Sequence, residues 1–532
     1  MTLPREDRAR VLVADPLAED GIARLRAAAD VEVRTRLPES ELVAAVGEFD
    51  ALVVRSETKV TAAVLAAGRR LRVVGRAGVG VDNIDVAFAT GRGILVVNAP
   101  RGNIIAAAEH TIGLLLALAR NIPQADASVR RGEWQRSRYT GVEIRGKTLG
   151  LVGLGNIGSE VAKRAQGLEM EVIAFDPAVP AERAEQFNVA LVDLRELFRR
   201  ADFISIHAPL VEGTRNLVDA DVLAEARPSA RLVNAARGGI VDEAALYDAL
   251  AGGRLAGAAS DVFLSEPIGE SPLLTLPNFI ATPHIAASTL EAQTSVAFDV
   301  AEEVLAVLRG EVPRHAVNAP SLPPEEMAFL RPYAVLAERL ASLHVQLESG
   351  RVSRLELEYR GEVAERDVAV VTAAAVSGLL QPFTEERINA VNARLVARSR
   401  GLELVERRTP EGPDGYGARL TLRADGLELE GAVVAGEPRL TRIGAFRMDL
   451  VPEGRYLVSR HADRPGVVGR IGTILGESDI NIAAMQVGRA TPRGQAMMLL
   501  NVDEPVGEAV LERLRGVFGM ADLRYVELGS NG

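Results

Sequence analysis

Thr148-Leu149-Gly150-Leu151-Val152 runs directly into Gly153-Leu154-Gly155-Asn156-Ile157-Gly158, and Ser159–Gly167 follow with helical spacing. A strand, a glycine-rich turn and a helix in that order open a nucleotide-binding α/β unit. The glycines permit a tight turn and close backbone approach to a pyrophosphate. The helix N-terminus adds free N–H groups and a positive dipole end. The next strand ends in Asp176, 18 residues after Gly158. A carboxylate there accepts hydrogen bonds from ribose hydroxyls and repels a 2′-phosphate, so the expected cofactor is NAD rather than NADP.

Downstream of this loop, strands are expected at Val172–Phe175, Phe203–Ile206, Arg231–Asn234, Gly257–Ser260 and Phe279–Ala281, with helical patterns between most of them. Upstream, Ala9–Ala14, Val31–Arg34, Ala51–Val54, Arg72–Val74 and Ile94–Val97 read as strands and Ala18–Ala29 as a helix. Asn103–Arg120 is a long Ala- and Leu-rich helix stopped by Asn121 and Pro123, and another helix runs from Thr289 to about Arg309. The alternation predicts two parallel α/β units. Pro313–Pro324 is proline-rich and reads as a linker. Beyond it the texture changes: a helix from Met327, a strand at Arg354–Tyr359, a second helix, and hairpin-like strands near Leu420–Phe446. From Tyr456 the pattern is strand, turn, helix, strand, strand, helix, strand.

A chain of 532 residues suggests about three or four domains. Its 48% hydrophobic and 25% charged residues place it among ordinary globular proteins. The formal net charge of −11 argues against a nucleic-acid partner, although local basic pockets for small anions remain open. Without a cysteine there are no disulfides, thiolate metal sites or thiol nucleophiles, and no metal is expected. Met1–Arg10 is basic and lacks an apolar core, unlike a secretory signal. The most apolar run, Ile112–Ala119, is far short of the ~20 residues that span a bilayer. The expected compartment is the cytoplasm, with no membrane partner.

Oxidation of a hydroxyl beside a nicotinamide needs a base for the hydroxyl proton, a cation for the substrate carboxylate, and a group that tunes the base. His284, in Thr282-Pro283-His284-Ile285-Ala286, follows the last apolar strand of the second unit, at the carboxyl end where open α/β sheets bind ligands. Glu266 lies 18 residues earlier, and a carboxylate beside an imidazole stabilises the imidazolium. Arg237 follows another strand end, in Asn234-Ala235-Ala236-Arg237-Gly238-Gly239, and its planar fork suits a carboxylate. Each residue alone is more often structural or a solvated charge. It is their joint placement after strands of one nucleotide-binding unit that points to chemistry.

Leu149–Gly158 with Asp176, His207-Ala208-Pro209, Asn234–Gly239, Asp261–Pro267 and Pro283–Ala287 together resemble, in order and spacing, the signature of the D-2-hydroxyacid dehydrogenase family. The resemblance implies that Arg237, Glu266 and His284 are the catalytic residues. It implies an NAD site formed by Gly153, Gly155, Asn156, Ile157, Gly158, Asp176, Ala208, Pro209, Ala235, Ala236, Arg237, Asp261, His284, Ala286 and Ala287. The implied fold is α/β. A Rossmann-type NAD-binding domain would span 103–287, and a discontinuous flavodoxin-like substrate domain 1–102 and 288–320, with a cleft that closes by hinge motion.

Arg55 and Lys59 lie near one strand end, and Arg76 precedes Ala77-Gly78-Val79-Gly80-Val81-Asp82-Asn83 near another. Cations near one predicted cleft fit a phosphorylated substrate better than an apolar one, and the glycine-flanked segment can offer backbone N–H groups to a carboxylate. The runs 54–61 and 75–83 resemble the phosphoglycerate-oxidising branch of the family. That resemblance implies substrate contacts from Arg55, Arg76, Val79, Gly80 and Asn103, with Arg136, after Trp134, a weaker candidate that could reach a neighbouring subunit. The implied reaction is NAD-dependent oxidation of 3-phospho-D-glycerate to 3-phosphohydroxypyruvate, the entry to serine. The alternatives are a glyoxylate or hydroxypyruvate reductase of the same family and a non-enzymatic NAD-sensing scaffold. A formate dehydrogenase is disfavoured because that branch replaces the Glu that is present here as Glu266.

Tyr456–Gly466, with its Asp463-Arg464-Pro465-Gly466 turn, the helix Val467–Ser478 and Asp479-Ile480-Asn481-Ile482 resemble an ACT domain, here 455–530 with a ferredoxin-like fold. The match implies an amino-acid effector, L-serine, met by Asp463 and Asn481 with His461 nearby, and a homotetrameric assembly. Residues 325–452 resemble the α+β intervening domain of long family members. There Arg439, Arg442 and Arg447 form either an anion site or a solvated basic face.

Overall fold

The computed structural model describes residues 8–319, 322–348, 352–384, 388–412, 417–517 and 522–529. Most of the N-terminal stretch set apart from a secretory signal, the middle of the expected linker, and parts of the intervening and ACT spans therefore lie outside the described residues.

Five short strands, β1 (Arg10–Val13), β2 (Asp30–Val33), β3 (Ala51–Val54), β4 (Val73–Arg76) and β5 (Leu95–Asn98), build the first sheet. Helices α1 (Glu19–Arg26), α2 (Glu39–Ala45), α3 (Ala62–Ala67) and α4 (Val86–Gly91) connect them. The strands are parallel in the order β2-β1-β3-β4-β5, the flavodoxin-like arrangement. After α5 (Ile104–Arg120) and α6 (Ile122–Arg130) the chain enters a second sheet. Its elements are β6 (Thr148–Val152), α7 (Asn156–Gly167), β7 (Glu171–Phe175), α8 (Ala181–Gln186), β8 (Ala190–Leu191), α9 (Leu194–Arg200), β9 (Phe203–Ile206), α10 (Ala220–Ala224), β10 (Arg231–Asn234), α11 (Glu243–Ala251), β11 (Gly257–Ser260) and β12 (Phe279–Ala281). The order β12-β11-β10-β9-β6-β7-β8, all parallel, reverses between β6 and β9. That reversal is the switch point of a doubly wound sheet, where ligands bind.

The chain crosses between these sheets twice. Leu114, Leu115 and Leu118 of α5 share a core with Leu149 and Leu151 of β6, so α5 belongs to the second sheet. The helix after β12, α12 (Leu290–Leu308), returns to the first. Its Val300 and Val304 pack so closely on Gly75 of β4 that an added Cβ there would stand 2.6 Å from Val304 Cγ2. Only a bare glycine in the middle of the strand lets this helix lie down.

The proline-rich stretch is not a free linker at its start. Ala316 forms an antiparallel bridge with Val97, Val317 N–H donates to Val96 O at 2.7 Å, and the Asn318 side chain bonds Ile94 O and Val96 N–H. The cause is that β5 is an edge strand with open backbone groups, which the departing chain satisfies.

α13 (Pro324–Leu347), β13 (Arg354–Gly361), α14 (Ala369–Leu380), α15 (Ala393–Ser399), β14 (Glu403–Thr409), β15 (Ala418–Ala424), β16 (Leu427–Val434), β17 (Glu437–Ile443) and β18 (Phe446–Leu450) form a third unit. Its sheet order is β14-β13-β15-β16-β17-β18, parallel only between β13 and β14. The last unit comprises β19 (Gly454–Ala462), α16 (Val467–Glu477), β20 (Ile482–Arg489), β21 (Gln495–Val502), α17 (Glu508–Arg515) and β22 (Asp522–Leu528). Its sheet, β20-β21-β19-β22, is antiparallel and has the expected ferredoxin-like order. Ile471, Leu475 and Leu511 cover one face of it. On the other face, Val458, Met497, Leu499 and Val526 join one core with Leu336, Leu340 and Tyr359. The expected boundary near 452 is thus a change of sheet within a continuous core. Among the described residues, no single helix is long and apolar enough to cross a membrane.

Candidate active site

A cavity of about 490 Å³ opens between the carboxyl ends of the first two sheets. It receives Arg55, Arg76, Val79, Gly80 and Asn103 from the first crossover and its sheet. From the second it receives Asn156, Ile157, Ala208, Pro209, Ala235, Ala236, Arg237, His284, Ala286 and Ala287. These residues line one cavity although they are scattered between positions 55 and 287, whereas Gly153, Gly155, Gly158, Asp176, Asp261 and Glu266 lie outside its lining.

The glycine loop is built as the expected cofactor requires. Gly153 has φ +103, and an added Cβ would lie 2.8 Å from the His207 carbonyl group, since β6 and β9 are adjacent at the switch point. A Cβ on Gly158 would lie 2.3 Å from Gly153 O, whereas one on Gly155 would meet nothing within 4 Å. Two glycines are thus demanded by packing, and the third leaves space for a close-lying pyrophosphate. The helix starts at Asn156, three residues earlier than its sequence pattern suggests, with Gly155 as its cap. The N–H groups of Asn156 and Ile157 therefore belong to its first turn and are free for an anion. Asp176 Oδ2 accepts from Leu154 N–H at 2.8 Å and Oδ1 from Ala178 N–H at 2.9 Å, fixing the carboxylate at the end of β7 with lone pairs to spare for a ribose. These residues fit NAD.

His284 Nδ1 lies 2.7 Å from Glu266 Oε2. With the Nδ1 proton assigned to that bond, Nε2 is the available base. Glu266 Oε1 also accepts from Phe263 N–H at 3.1 Å. Burial works to raise the Glu266 carboxyl, but the bonds from His284 and Phe263 outweigh it and hold its pKa below the ordinary carboxylate range. The loop carrying Glu266 is pressed on the loop carrying Arg237: a Cβ on Gly238 would lie 2.0 Å from Phe263 O. Glu243, in the first turn of α11, accepts from Leu264 N–H at 2.6 Å and fastens the same loop. Arg237 donates from Nε to Asp82 Oδ2 at 3.0 Å and from Nη1 to Ala236 O at 2.7 Å.

Asp261, fully buried, does not line the cavity but holds the His284 loop from below. It accepts from Ile285 N–H at 2.9 Å, Ala286 N–H at 2.8 Å and Thr282 Oγ1 at 2.5 Å, and faces His110 Nε2 at 3.4 Å. Burial again pushes upward, and these donors win, so the carboxyl lies below its ordinary value. His110, Thr282, Glu243 and Asp82 were not singled out as site residues in the sequence. Each acts through contacts between distant segments and leaves no local pattern.

On the substrate side, Arg76 is half-buried, and desolvation first and the neighbouring Arg237 second push its pKa down to about 10. Arg76 Nε and Asn103 Oδ1 are buried without a protein partner, and both residues line the cavity. Buried polar atoms ordinarily have partners, so a polar ligand is called for here. Arg55 is half-buried. Its backbone N–H is held by the carboxylate of buried Asp15, and its Nη1 leans on Pro16 O at 3.4 Å. Lys59 is exposed and outside the cavity, as is Arg136, which stacks over the Trp134 ring at 5.6 Å.

The C-terminal candidates are not brought together within one protomer. Asp463 sits where β19 leaves the sheet, accepting from Arg493 N–H at 3.1 Å and Arg489 Nη1 at 3.4 Å, while Gly466 caps α16. Asn481 sits at the far end, donating from Nδ2 to Asp503 Oδ2 at 2.7 Å. Ala462 pairs with Gln495 and Ile482 with Val502, so the length of β21, roughly 20 Å, separates them. His461 lies near Asp463, buried, with its pKa lowered mainly by desolvation. Arg439 pairs with Glu437 and Asp449, and Arg442 with Glu430, while Arg447 is exposed on β18.

Three family models match the chain. They are the NAD-binding domain of D-isomer-specific 2-hydroxyacid dehydrogenases over residues 112–286, the D-3-phosphoglycerate dehydrogenase intervening domain over 329–444, and the ACT domain over 456–519. A D-3-phosphoglycerate dehydrogenase of Methanocaldococcus jannaschii is 46% identical over 522 residues, covering 98% of this chain and 100% of that protein. The chain belongs to the D-3-phosphoglycerate dehydrogenase family. A D-3-phosphoglycerate dehydrogenase of Synechocystis is also 46% identical, over 98% of this chain and 95% of its own length. Among solved structures, D-lactate dehydrogenase from Aquifex aeolicus, complexed with NAD and lactic acid, matches with a TM-score of 0.53 and 27% identity, over 58% of this chain and 100% of that one. The chain is an NAD-dependent oxidoreductase with a C-terminal ACT domain of the kind that takes an amino-acid effector.

Proposed function

We propose that the chain oxidises 3-phospho-D-glycerate at C2 to 3-phosphohydroxypyruvate, the first step toward L-serine, with L-serine as its feedback effector. The observation that carries the chemistry is the His284–Glu266 pair at 2.7 Å, whose His284 shares one cavity with Arg237, Arg76 and Asn103, the last two each with a buried side-chain atom that has no protein partner. His284 Nε2 takes the C2 hydroxyl proton, and Glu266 holds the ring in the tautomer that allows it and stabilises the imidazolium. Arg237 holds the substrate carboxylate and polarises the forming carbonyl. Arg76 and Arg55 receive the phosphate, and Asn103 and the backbone at Val79–Gly80 orient the glycerate. The hydride acceptor is supplied by NAD when bound, seated over the glycine loop with its ribose at Asp176.

Because Asp463 and Asn481 are far apart in one protomer, an effector touching both would bridge two copies of the ACT unit. A homotetramer in the cytoplasm is the proposed working form. The exposed Trp134, Ile122 and Val129 along and beyond α6 offer apolar surface for a second copy.

The test is a panel of 2-hydroxy acids read by NADH formation, with and without L-serine. Fastest turnover with 3-phosphoglycerate, slowed by serine, supports the reading. Absence of NADH with 3-phosphoglycerate would overturn the substrate, and indifference to serine the effector.

A further inference from the structure

Arg237 is anchored from both halves of the cleft. Ala236 O, which takes its Nη1, belongs to the loop after β10, and Asp82, which takes its Nε at 3.0 Å, belongs to the loop after β4. Two bonds from separate directions fix the plane of the guanidinium. The remaining nitrogen, Nη2, rests on Gly80, where an added Cβ would stand 2.0 Å from Nη2 and 3.0 Å from Asp82 Oδ2. Gly80, Asp82 and Arg237 therefore form one packed corner of the cavity.

We propose that Asp82 is a positioning residue for the reaction: it turns Arg237 so that Nη2 faces the substrate's carboxylate and C2 oxygen, and it registers that cation against the loop that receives the same carboxylate. The proposal rests on the role given above to Arg237.

The loop is rigid enough for this task. Asn98 Nδ2 donates to Val79 O at 2.6 Å, Ala99 N–H donates to Gly78 O at 3.0 Å, and Asn83 Nδ2 bonds both Arg55 O and Thr58 O at 2.7 Å. Asp82 thus stands on a frame shared with Arg55, Val79 and Gly80. Stability is a poor explanation for the pair, because the Asp82 side chain is 67% exposed and exposed ion pairs contribute little. Electrostatics gives a further reason for an acid here. Arg76 and Arg237 repel one another in the cavity, and Asp82 favours the charge on Arg76 and lies against Arg237. A charge-assisted bond to one edge of the guanidinium holds its direction without blocking Nη2.

The test compares wild type with Asp82→Ala and Asp82→Asn. It measures kcat and KM for 3-phosphoglycerate and for NAD⁺, the affinity of the NADH-loaded protein for oxalate, and the melting temperature. Asp82→Ala is expected to lower kcat with 3-phosphoglycerate roughly tenfold or more and to weaken oxalate binding, as misplacement of a reacting contact does. KM for NAD⁺ and the melting temperature should stay at wild-type values, and Asp82→Asn, which keeps an acceptor, should recover most of the loss. Wild-type kcat and oxalate affinity in Asp82→Ala would overturn the proposal. So would a gain in either, which would make Asp82 a competitor for Arg237, or a lowered melting temperature without rescue by Asn. If wild type fails on 3-phosphoglycerate, the substrate reading falls, and the oxalate arm still decides the role of Asp82.

Discussion

His284 has φ +52, a left-handed backbone that a histidine seldom adopts. The strain is held by one buried carboxylate: Asp261 accepts the N–H groups of the two residues that follow, and its own carbonyl takes the N–H of His284. His284, the proposed base, is thereby set in the cavity wall by a residue that does not line the cavity. Glu266 completes the placement. Glu266→Gln keeps an acceptor near Nδ1 but removes the charge that stabilises the imidazolium, so kcat should fall by about 10²-fold or more with KM for NAD⁺ little changed. Steady-state kinetics with 3-phosphoglycerate checks this, and a near-normal kcat would remove Glu266 from the mechanism. His207 gives a pH signature of another kind. Desolvated at the switch point and bonded to Ser205 Oγ at 2.8 Å, it has a pKa pushed down to about 4. Its unfolded counterpart titrates at about 6.5. Between those values the unfolded chain binds the proton and the folded one does not, so the folded state loses stability as pH falls through that window. His207→Gln should flatten this acid slope in melting temperature measured across the window, and an unchanged slope would assign it to other groups.

At the scale of elements, the loops that carry the proposed catalytic residues are held by bare backbone. Gly238 lets the loop after β10 lie on the loop after β11, with no room for a methyl between it and Phe263 O. Gly238→Ala should part the two loops, separating Arg237 from Glu266. A fall in kcat/KM for the hydroxy acid of about 10²-fold, with NAD affinity kept within a few-fold, is expected from kinetics and cofactor titration. Equal losses for both ligands would instead indicate general damage to the second sheet. Much of this level was legible beforehand. The glycine loop, Asp176 and the strand-end positions of Arg237, Glu266 and His284 announce themselves because each depends on local chain geometry. What was hidden depends on meetings between distant segments. Nothing near Asp82 or His110 says which residue it will face, and the start of α7 at Asn156 was masked by the glycines before it. Pro313–Pro324 reads as a linker because its prolines are visible locally, while the open edge of β5 that captures 316–318 is not. In the C-terminal unit, the marks at Asp463 and Asn481 were readable, but only the register of β21 reveals that they stand at opposite ends of the sheet.

At the scale of the molecule, the first two sheets form the cleft and the last two share a core that tethers to them. Asn389 Nδ2 donates to Gly93 O at 2.8 Å, joining the intervening unit to the turn before β5. The departing chain at 315–318 lies along the same strand, and Asn98 at the end of β5 holds Val79 O in the substrate loop. The C-terminal half therefore leans on the strand that sets the loop 77–83, and the proposed effector signal would reach the cavity by that route. The proposed chemistry requires a cavity that takes an anion at both ends of a small hydroxy acid. The most direct measurement is the ratio of kcat/KM for 3-phospho-D-glycerate to that for D-glycerate, in wild type and in Arg76→Ala. The wild-type ratio should be about 10²-fold or more, given the strength of charged hydrogen bonds to phosphate, and should collapse toward unity in Arg76→Ala. A wild-type ratio near one, or a ratio that Arg76→Ala leaves untouched, would contradict it.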